Sequence, residues 1–461
     1  MTNTTSVPTT TVVPALDSGP LKERFRGQLL APEDDGYESG RRVWNAMIDR
    51  HPALIARCVG AADVTAAVDF ARERELVVSV RGGGHSVAGT AVCDGGLMID
   101  LSPMKSVRVD PAGRTARAEP GVLWGEFDRE TQAFGLATPG GAVSTTGIAG
   151  LTLGGGQSWL TGKYGLTLDN LLSADVVTAD GKLLHASQTE HEDLFWALRG
   201  AGANFGVVTS FEYRVHPVTA VLGGMVVHPL DRAGDVLRFY REFAAAQPDE
   251  LTTYAGFITT PEGDKVVALI ACYAGAPDQG ERVIAPLRRF GSPVADTIGP
   301  TTYLAMQSLL GPGFPSGRLN YWRSGLANEI SDTAIETIVE YVTRVPSPFT
   351  ATVFANTHGA FSRVAKGDTA YWHRDQQYDL VIISSWTEPA ASERNVRWTR
   401  EFSDAIKPQL SRGVYVNDLG DEGDQRIRDA YGGNYDRLLT LKRKYDPSNF
   451  FRMNQNIDPA A

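Results

Sequence analysis

The sequence predicts an α+β protein of two lobes, and three observations carry that expectation. The chain has 461 residues, more than one ordinary core accommodates. Residues 50–218 alternate short β-type runs with amphipathic segments and are crowded with glycine loops. Residues 219–410 carry longer apolar runs separated by helical stretches, the pattern of an antiparallel sheet backed by helices. The expected organisation is a disordered lead-in at 1–20, a glycine-loop lobe at 21–218, a sheet lobe at 219–410 and a C-terminal segment at 411–461.

In chain order, Val64, Ala67, Val68 and Ala71 share one face of a helix expected over 62–75. A strand, LVVSV, follows and runs into RGGGHSVAG; GLMIDLS at 96–102 is another short strand, and SVRVD with TARAEP reads as a hairpin. Residues 122–135 read as a helix ending at Gly135. A Gly/Thr-rich stretch covers 138–156, and 174–187 is a hairpin turning at Asp180-Gly181. EDLFWALRG is a helix closed by glycine, and 205–218 is a strand. In the second lobe, strands are expected at 222–229, 265–273, 348–357 and 378–386, and helices at 231–246, 278–290, 329–344 and 391–407. The tail carries a helix over 434–446.

Composition narrows the function. With 42% hydrophobic and 21% charged residues the chain reads as soluble and globular, and its net charge of −10 argues against nucleic acid, which needs a basic face. Cys58, Cys93 and Cys272 form no CxxC and no Cys/His cluster, so neither a metal site nor a disulfide framework is indicated. The Thr/Pro-rich residues 1–20 lack the basic and apolar regions of a signal peptide, and no apolar run is long enough to span a bilayer. A cytoplasmic protein without a membrane partner is expected.

Two glycine-rich loops carry the chemistry. Neither 82–89 nor 200–206 has the GxGxxG spacing, and no GxxxxGK[ST] is present, which weakens Rossmann and P-loop readings. Gly84-His85-Ser86-Val87-Ala88 comes close to a nucleophile elbow, making a serine hydrolase the sharpest rival, but GTAVCDGG after it is no helix opening. Gly82, Gly83 and Gly84 can present N–H groups as an anion nest, with Arg81 adding positive charge, which suits a pyrophosphate. A neutral His85 beside it can act as a nucleophile; a plain satisfied loop histidine is the alternative. The 138–156 stretch interleaves Gly140, Gly141, Gly147, Gly150, Gly154, Gly155 and Gly156 with hydroxyls, and its apolar IAGLTL argues for burial against a cofactor rather than a free loop.

RGGGHSVAG, GLMIDLS, the block from Thr138 to Gly181, the run from Asp193 to Val215, Tyr415-Val416-Asn417 and the tail from Asn434 to Ile457 together resemble berberine-bridge-enzyme-like FAD-linked oxidases of the vanillyl-alcohol-oxidase/p-cresol-methylhydroxylase superfamily. The resemblance covers about residues 40–460 and is looser over 220–410; bacterial secondary-metabolite and oligosaccharide oxidases look most similar. It implies a PCMH-type FAD-binding lobe, a substrate lobe and a C-terminal segment that returns to the FAD lobe. It implies a covalent bond from His85 to the flavin, with Arg81, Gly82, Gly83, Gly84, Ser86 and Gly89 around the pyrophosphate. Gly147, Gly150, Gly154 and Gly155 of the second loop, with Val208, Asn417, Asn454 and Asn456, are the further cofactor-binding residues it implies. Val143 stands where many members have a second tethering cysteine, so a single link through His85 is expected. Thr146, three residues on, falls where relatives meet O2, Tyr415 falls on the catalytic base, and Tyr164 is expected near the flavin ring.

The expected activity is removal of a hydride from a C–H next to a hydroxyl, in an alcohol, sugar or natural product, with O2 giving H2O2. A flavin dehydrogenase with another acceptor and a natural-product tailoring oxygenase or cyclase are the alternatives, with the serine hydrolase more remote. His358, Tyr321, Trp322 and Trp386 lie on strand-like segments, where alternation points each of them inward or outward.

Overall fold

The computed structural model describes residues 16–461. The expected disordered lead-in therefore falls mostly outside the described residues, but its end is not irregular. Gly19–Lys22 is a helical turn whose Leu21 is fully buried in one apolar cluster with Val64, Val68 and Ala71. Those residues lie on the helix Ala61–Glu73, as their spacing predicts.

The glycine-loop lobe holds two sheets. In the first, Gln28–Leu30, Leu54–Arg57, Leu97–Asp100 and Val78–Arg81 are neighbours in that order, and the last three run parallel. Helix Ala61–Glu73 makes the crossover from Leu54–Arg57 to Val78–Arg81. The carboxyl end of Val78–Arg81 delivers the RGGGHS loop, the end of a parallel sheet where ligands characteristically bind. The second sheet is antiparallel, in the order Val107–Asp110, Thr115–Ala118, Val207–Arg214, Leu171–Val177, Leu183–Ser187. Its last hairpin turns through Gly181 at φ 81°. The 138–156 stretch is not all loop: Ile148–Gly154 is a short helix, buried through Ile148, Ala149, Thr152 and Leu153.

The sheet lobe is one antiparallel sheet of eight strands. Ala220–Pro229, Lys265–Tyr273, Leu251–Thr259, Ala351–Asn356, Tyr378–Trp386 and Leu319–Ala327 are consecutive neighbours across it. Strand Leu251–Thr259 is absent from the sequence expectations. Its first seven residues are all buried, so it lacks the polar alternation that marks a half-exposed strand. Ala255, Phe354, Leu380 and Ile382 face helices Ala233–Ala245, Asp332–Val342 and Ser392–Ile406 in one core. Tyr254 and Ala355, one residue off in register, face the other way with Trp159 and Leu160 of the glycine-loop lobe.

The C-terminal residues pack against the first lobe. Val414, Val416, Leu438, Leu441 and Ile457 share a core with Trp124, Phe195, Phe205 and Tyr213. A fully buried ion pair pins this segment: Lys442 Nζ lies 2.7 Å from Asp446 and donates to the carbonyls of Asn204 and Phe451. Among the described residues no helix is long and apolar enough to cross a membrane, and no His/Cys/Asp/Glu group is placed to hold a metal ion.

Candidate active site

One large cavity lies between the glycine loops and the free face of the eight-stranded sheet. It measures about 380 Å³, far above the ~10–15 Å³ that a single water needs, so its size suits an organic ligand. Gly82, Gly83, Gly84, His85 and Ser86 form one wall with Thr146, Gly147 and Gly150; Gly202, Ala203, Gly206 and Val208 form another. The sheet contributes Tyr254, Val353, Ala355, Asp379 and Val381, and the tail closes the cavity with Tyr415, Asn417, Asp418 and Asn454.

The glycines are required by close approach. A Cβ on Gly83 would sit 2.5 Å from the Cα of Gly147, so the two loops cross backbone to backbone. Gly150 and Gly202 would instead project a Cβ into open space on the cavity side. Tight crossings beside open, side-chain-free backbone make a cradle suited to a dinucleotide pyrophosphate. His85 stands at its edge, its ring stacked on Trp44 at 4.5 Å and 19°. Trp44 is itself fixed, donating from Nε1 to the carbonyl of Phe314 and from its backbone N–H to Gly84. Among the described residues, the side-chain polar partner of the His85 Nε2 is the Thr145 hydroxyl at 3.5 Å. Burial pushes the imidazole down to about 4, so it is neutral at neutral pH with nitrogen lone-pair density available.

The tail brings titratable groups to the cavity. Tyr415 lies in an extended step before the short 3₁₀ turn Val416–Asp418. Its hydroxyl accepts from the Gly156 N–H at 2.6 Å and from Asn417 Nδ2 at 2.7 Å. Gly154 and Gly155 allow this docking: a Cβ on Gly154 would meet Asn417 Oδ1 at 2.1 Å, and one on Gly155 the Tyr415 ring at 2.7 Å. Burial raises the Tyr415 phenol above its ordinary value, so it stays protonated. Asp379 lies beside it, fully buried on strand Tyr378–Trp386 and accepting from Gln157 Nε2 at 3.0 Å, with the buried Asp418 carboxyl next to it. Two buried carboxyls side by side disfavour a double negative charge. Burial pushes Asp379 up to about 7, and burial with the Asp379 charge pushes Asp418 far above the carboxylate range. Both carboxyls are therefore held above the ordinary carboxylate range by burial and by each other.

Of the expected site residues, Gly82, Gly83, Gly84, His85, Ser86, Thr146, Gly147, Gly150, Val208, Tyr415, Asn417 and Asn454 line the cavity. Six do not. Arg81 turns away, its guanidinium donating to the Gly40 carbonyl at 2.5 Å beside Asp100. Gly89 serves a turn, φ 67°, where a Cβ would strike Ile48. Gly154 and Gly155 seat the tail. Tyr164 stacks on His216 at 3.9 Å, because the helical turn Thr161–Tyr164 rotates its ring outside the cavity. Asn456 is half-buried outside the lining, its buried Oδ1 unpartnered. Gln157, Gly202, Gly206, Asp379, Asp418 and Trp44 complete the site without having been singled out, and only the glycines of 200–206 carried a local signal. Trp322 lines the sheet side; Tyr321, His358 and Trp386 do not.

Val143 lines the cavity and offers no nucleophile, while Cys58, Cys93 and Cys272 are buried elsewhere. Residues 52–187 match the FAD binding domain family, and residues 414–458 the berberine and berberine-like family. A FAD-linked oxidoreductase of Dictyostelium discoideum is 34% identical over 95% of this chain and 96% of its own. The chitooligosaccharide oxidase of Gibberella zeae is 30% identical over 94% of each chain. The crystal structure of 6-hydroxy-D-nicotine oxidase from Arthrobacter nicotinovorans superposes with a TM-score of 0.86 at 32% identity, covering 96% of this chain and 99% of that one. The crossed glycine loops, the docked tail and these matches along nearly the whole length agree: the chain belongs to the berberine-bridge-enzyme-like FAD-linked oxidoreductases.

Proposed function

We propose that the protein is an oxidase that removes a hydride from a C–H bearing a hydroxyl, uses O2 as acceptor, releases H2O2, and holds its FAD through a single covalent link at His85. The observation that carries this reading is a neutral, stacked imidazole on the glycine-loop wall of a cavity whose opposite end holds Tyr415 and the Asp379–Asp418 pair. When bound, the flavin supplies hydride acceptance and passes both electrons on to the acceptor.

The chain's residues do the rest. Gly82, Gly83, Gly84, Gly147, Gly150 and Gly202 provide the cofactor's backbone bed, and Asn454, itself donating to the Ala203 carbonyl at 2.9 Å, ties the tail over it. Among the described residues no lysine or arginine lines the cavity, so nothing cationic lowers the Tyr415 phenol. Tyr415 therefore acts as a donor and orienter of the substrate oxygen, and the proton lost from the substrate hydroxyl is taken up at the Asp379 carboxylate. Asp418 holds its own proton against Asp379 and keeps the pair at a single negative charge. The compact Thr146 leaves room beside the cofactor bed, which supports the oxygen reading over a dehydrogenase.

Acid precipitation of the purified protein tests the tether, and a peroxide assay during turnover tests the acceptor. Yellow colour in the pellet and stoichiometric H2O2 are expected. A colourless pellet sinks the covalent link, and turnover without peroxide sinks the oxidase.

A further inference from the structure

The half of the cavity away from the glycine loops is built on the sheet, and its chemistry is uneven. Register places Tyr254 opposite Ala355 and Ala355 opposite Asp379, then Val353 opposite Val381, then Trp322 opposite Ile383. Each of these side chains lines the cavity. The result is a contiguous patch of aliphatic and aromatic surface with one carboxyl at one end. Further polar atoms are few: Gln157 Nε2 is already given to Asp379, and the Trp322 indole N–H and the Tyr254 hydroxyl stand apart from each other along the wall.

We infer that the substrate is a compact, largely apolar alcohol or amine, presenting one O–H or N–H on its oxidisable carbon to the Asp379 end, and is not a carbohydrate. The inference deepens the FAD-oxidase reading above and rests on it. A sugar ring carries several hydroxyls around its circumference, and each loses its water on entering. Against Val353, Ala355, Val381 and Ile383 those hydroxyls find no partner, and an unpaired buried polar group is costly. An aromatic or alicyclic body gains from the same surface by area burial, with Tyr254 and Trp322 available for ring contacts. The one polar demand of such a molecule is met by the carboxyl at the end of the wall. The Asp379–Asp418 pair also has no cation facing it from the sheet, the tail or the glycine loops among the described residues; Arg323 faces Glu422 instead.

The test uses the yellow holoenzyme, with flavin absorbance difference spectra recorded anaerobically during titration with 1-phenylethanol, 1-phenylethylamine and cellobiose. At least one aromatic probe is expected to perturb or bleach the flavin with a dissociation constant about ten-fold or more below that of cellobiose. Val381→Asn, which puts an amide into the apolar wall, is expected to weaken that probe roughly ten-fold while the covalent flavin content stays unchanged. Cellobiose binding as tightly as either aromatic probe overturns the inference. So does silence from both aromatic probes up to their solubility limits, or a Val381→Asn affinity within about two-fold of wild type. Reduction by dithionite and reoxidation by air separates the two readings: a protein that passes this cycle yet prefers cellobiose loses only the substrate inference, whereas a colourless protein loses both.

Discussion

The proposed tether at His85 carries a pH dependence of flavin attachment that is set by how the ring is buried. The imidazole stacks on Trp44, has the Thr145 hydroxyl as its polar neighbour, and is pushed by burial from the ordinary 6.5 down to about 4. That difference makes protonation in place about 3.4 kcal/mol harder than in water, at ~1.36 kcal/mol per pH unit. Only the neutral ring can attack. The sign is that of a depressed cation: the reactive form is present above the folded value and lost as pH falls through it. At pH 5 a group titrating near 4 is still about 0.9 neutral, whereas one titrating at 6.5 is about 0.03 neutral. Apoprotein mixed with FAD at pH 5.0 and at pH 7.5, quenched in acid and read as flavin fluorescence on the denatured band, distinguishes them. Initial attachment rates at the two pH values are expected to agree within about two-fold. A thirty-fold fall at pH 5 would mean that burial does not hold the ring neutral, and His85→Ala still carrying acid-stable flavin would refute the assignment outright.

Four other substitutions probe separate parts of the construction. Asp379→Asn should slow anaerobic flavin reduction by roughly 10²–10⁴-fold and remove a rise in rate with pH through about 7, since the carboxylate that accepts the proton forms only above that value; stopped-flow rates within a few-fold of wild type with the rise intact would argue against it. Gly154→Ala places a methyl against Asn417 Oδ1 and should displace Tyr415, lowering turnover while acid-stable flavin persists, and unchanged turnover would deny the tail its placing role. Lys442→Met leaves Asp446 buried without its partner and should cost about 3–5 kcal/mol in denaturant unfolding. Asp128, fully buried with both carboxyl oxygens unpartnered, is raised by burial, so the stability it contributes is present at low pH and lost as pH rises; Asp128→Asn should therefore raise the melting temperature more at pH 8 than at pH 5.

What the sequence makes legible is what backbone demands locally. Gly82 to Gly84 and Gly147 announce a cradle because no other residue permits two backbones to cross at that distance, and that demand is written into neighbouring positions. The long helices and four of the eight strands of the sheet lobe are likewise readable from periodicity. Asp379 is different. Within YDLVIISSW it is one polar residue near a strand's start, and nothing local says which face it takes. Its position follows from pairing with Ala355, and its chemistry from Asp418, brought by a tail that itself depends on the buried Lys442–Asp446 pair. Trp44 meets His85 through the same kind of long-range closure. Tyr164 shows the converse, since a residue adjacent in sequence to the cofactor loops is turned away by one helical turn. The glycines of the proposed cofactor bed are therefore readable one by one, while the crossing of Gly83 over Gly147, like the Trp44–His85 stack, is made by the fold. The proposed acid–base end is a meeting of sheet register and tail docking, so substitutions far from the cavity that slip either one are expected to alter catalysis while leaving the flavin in place.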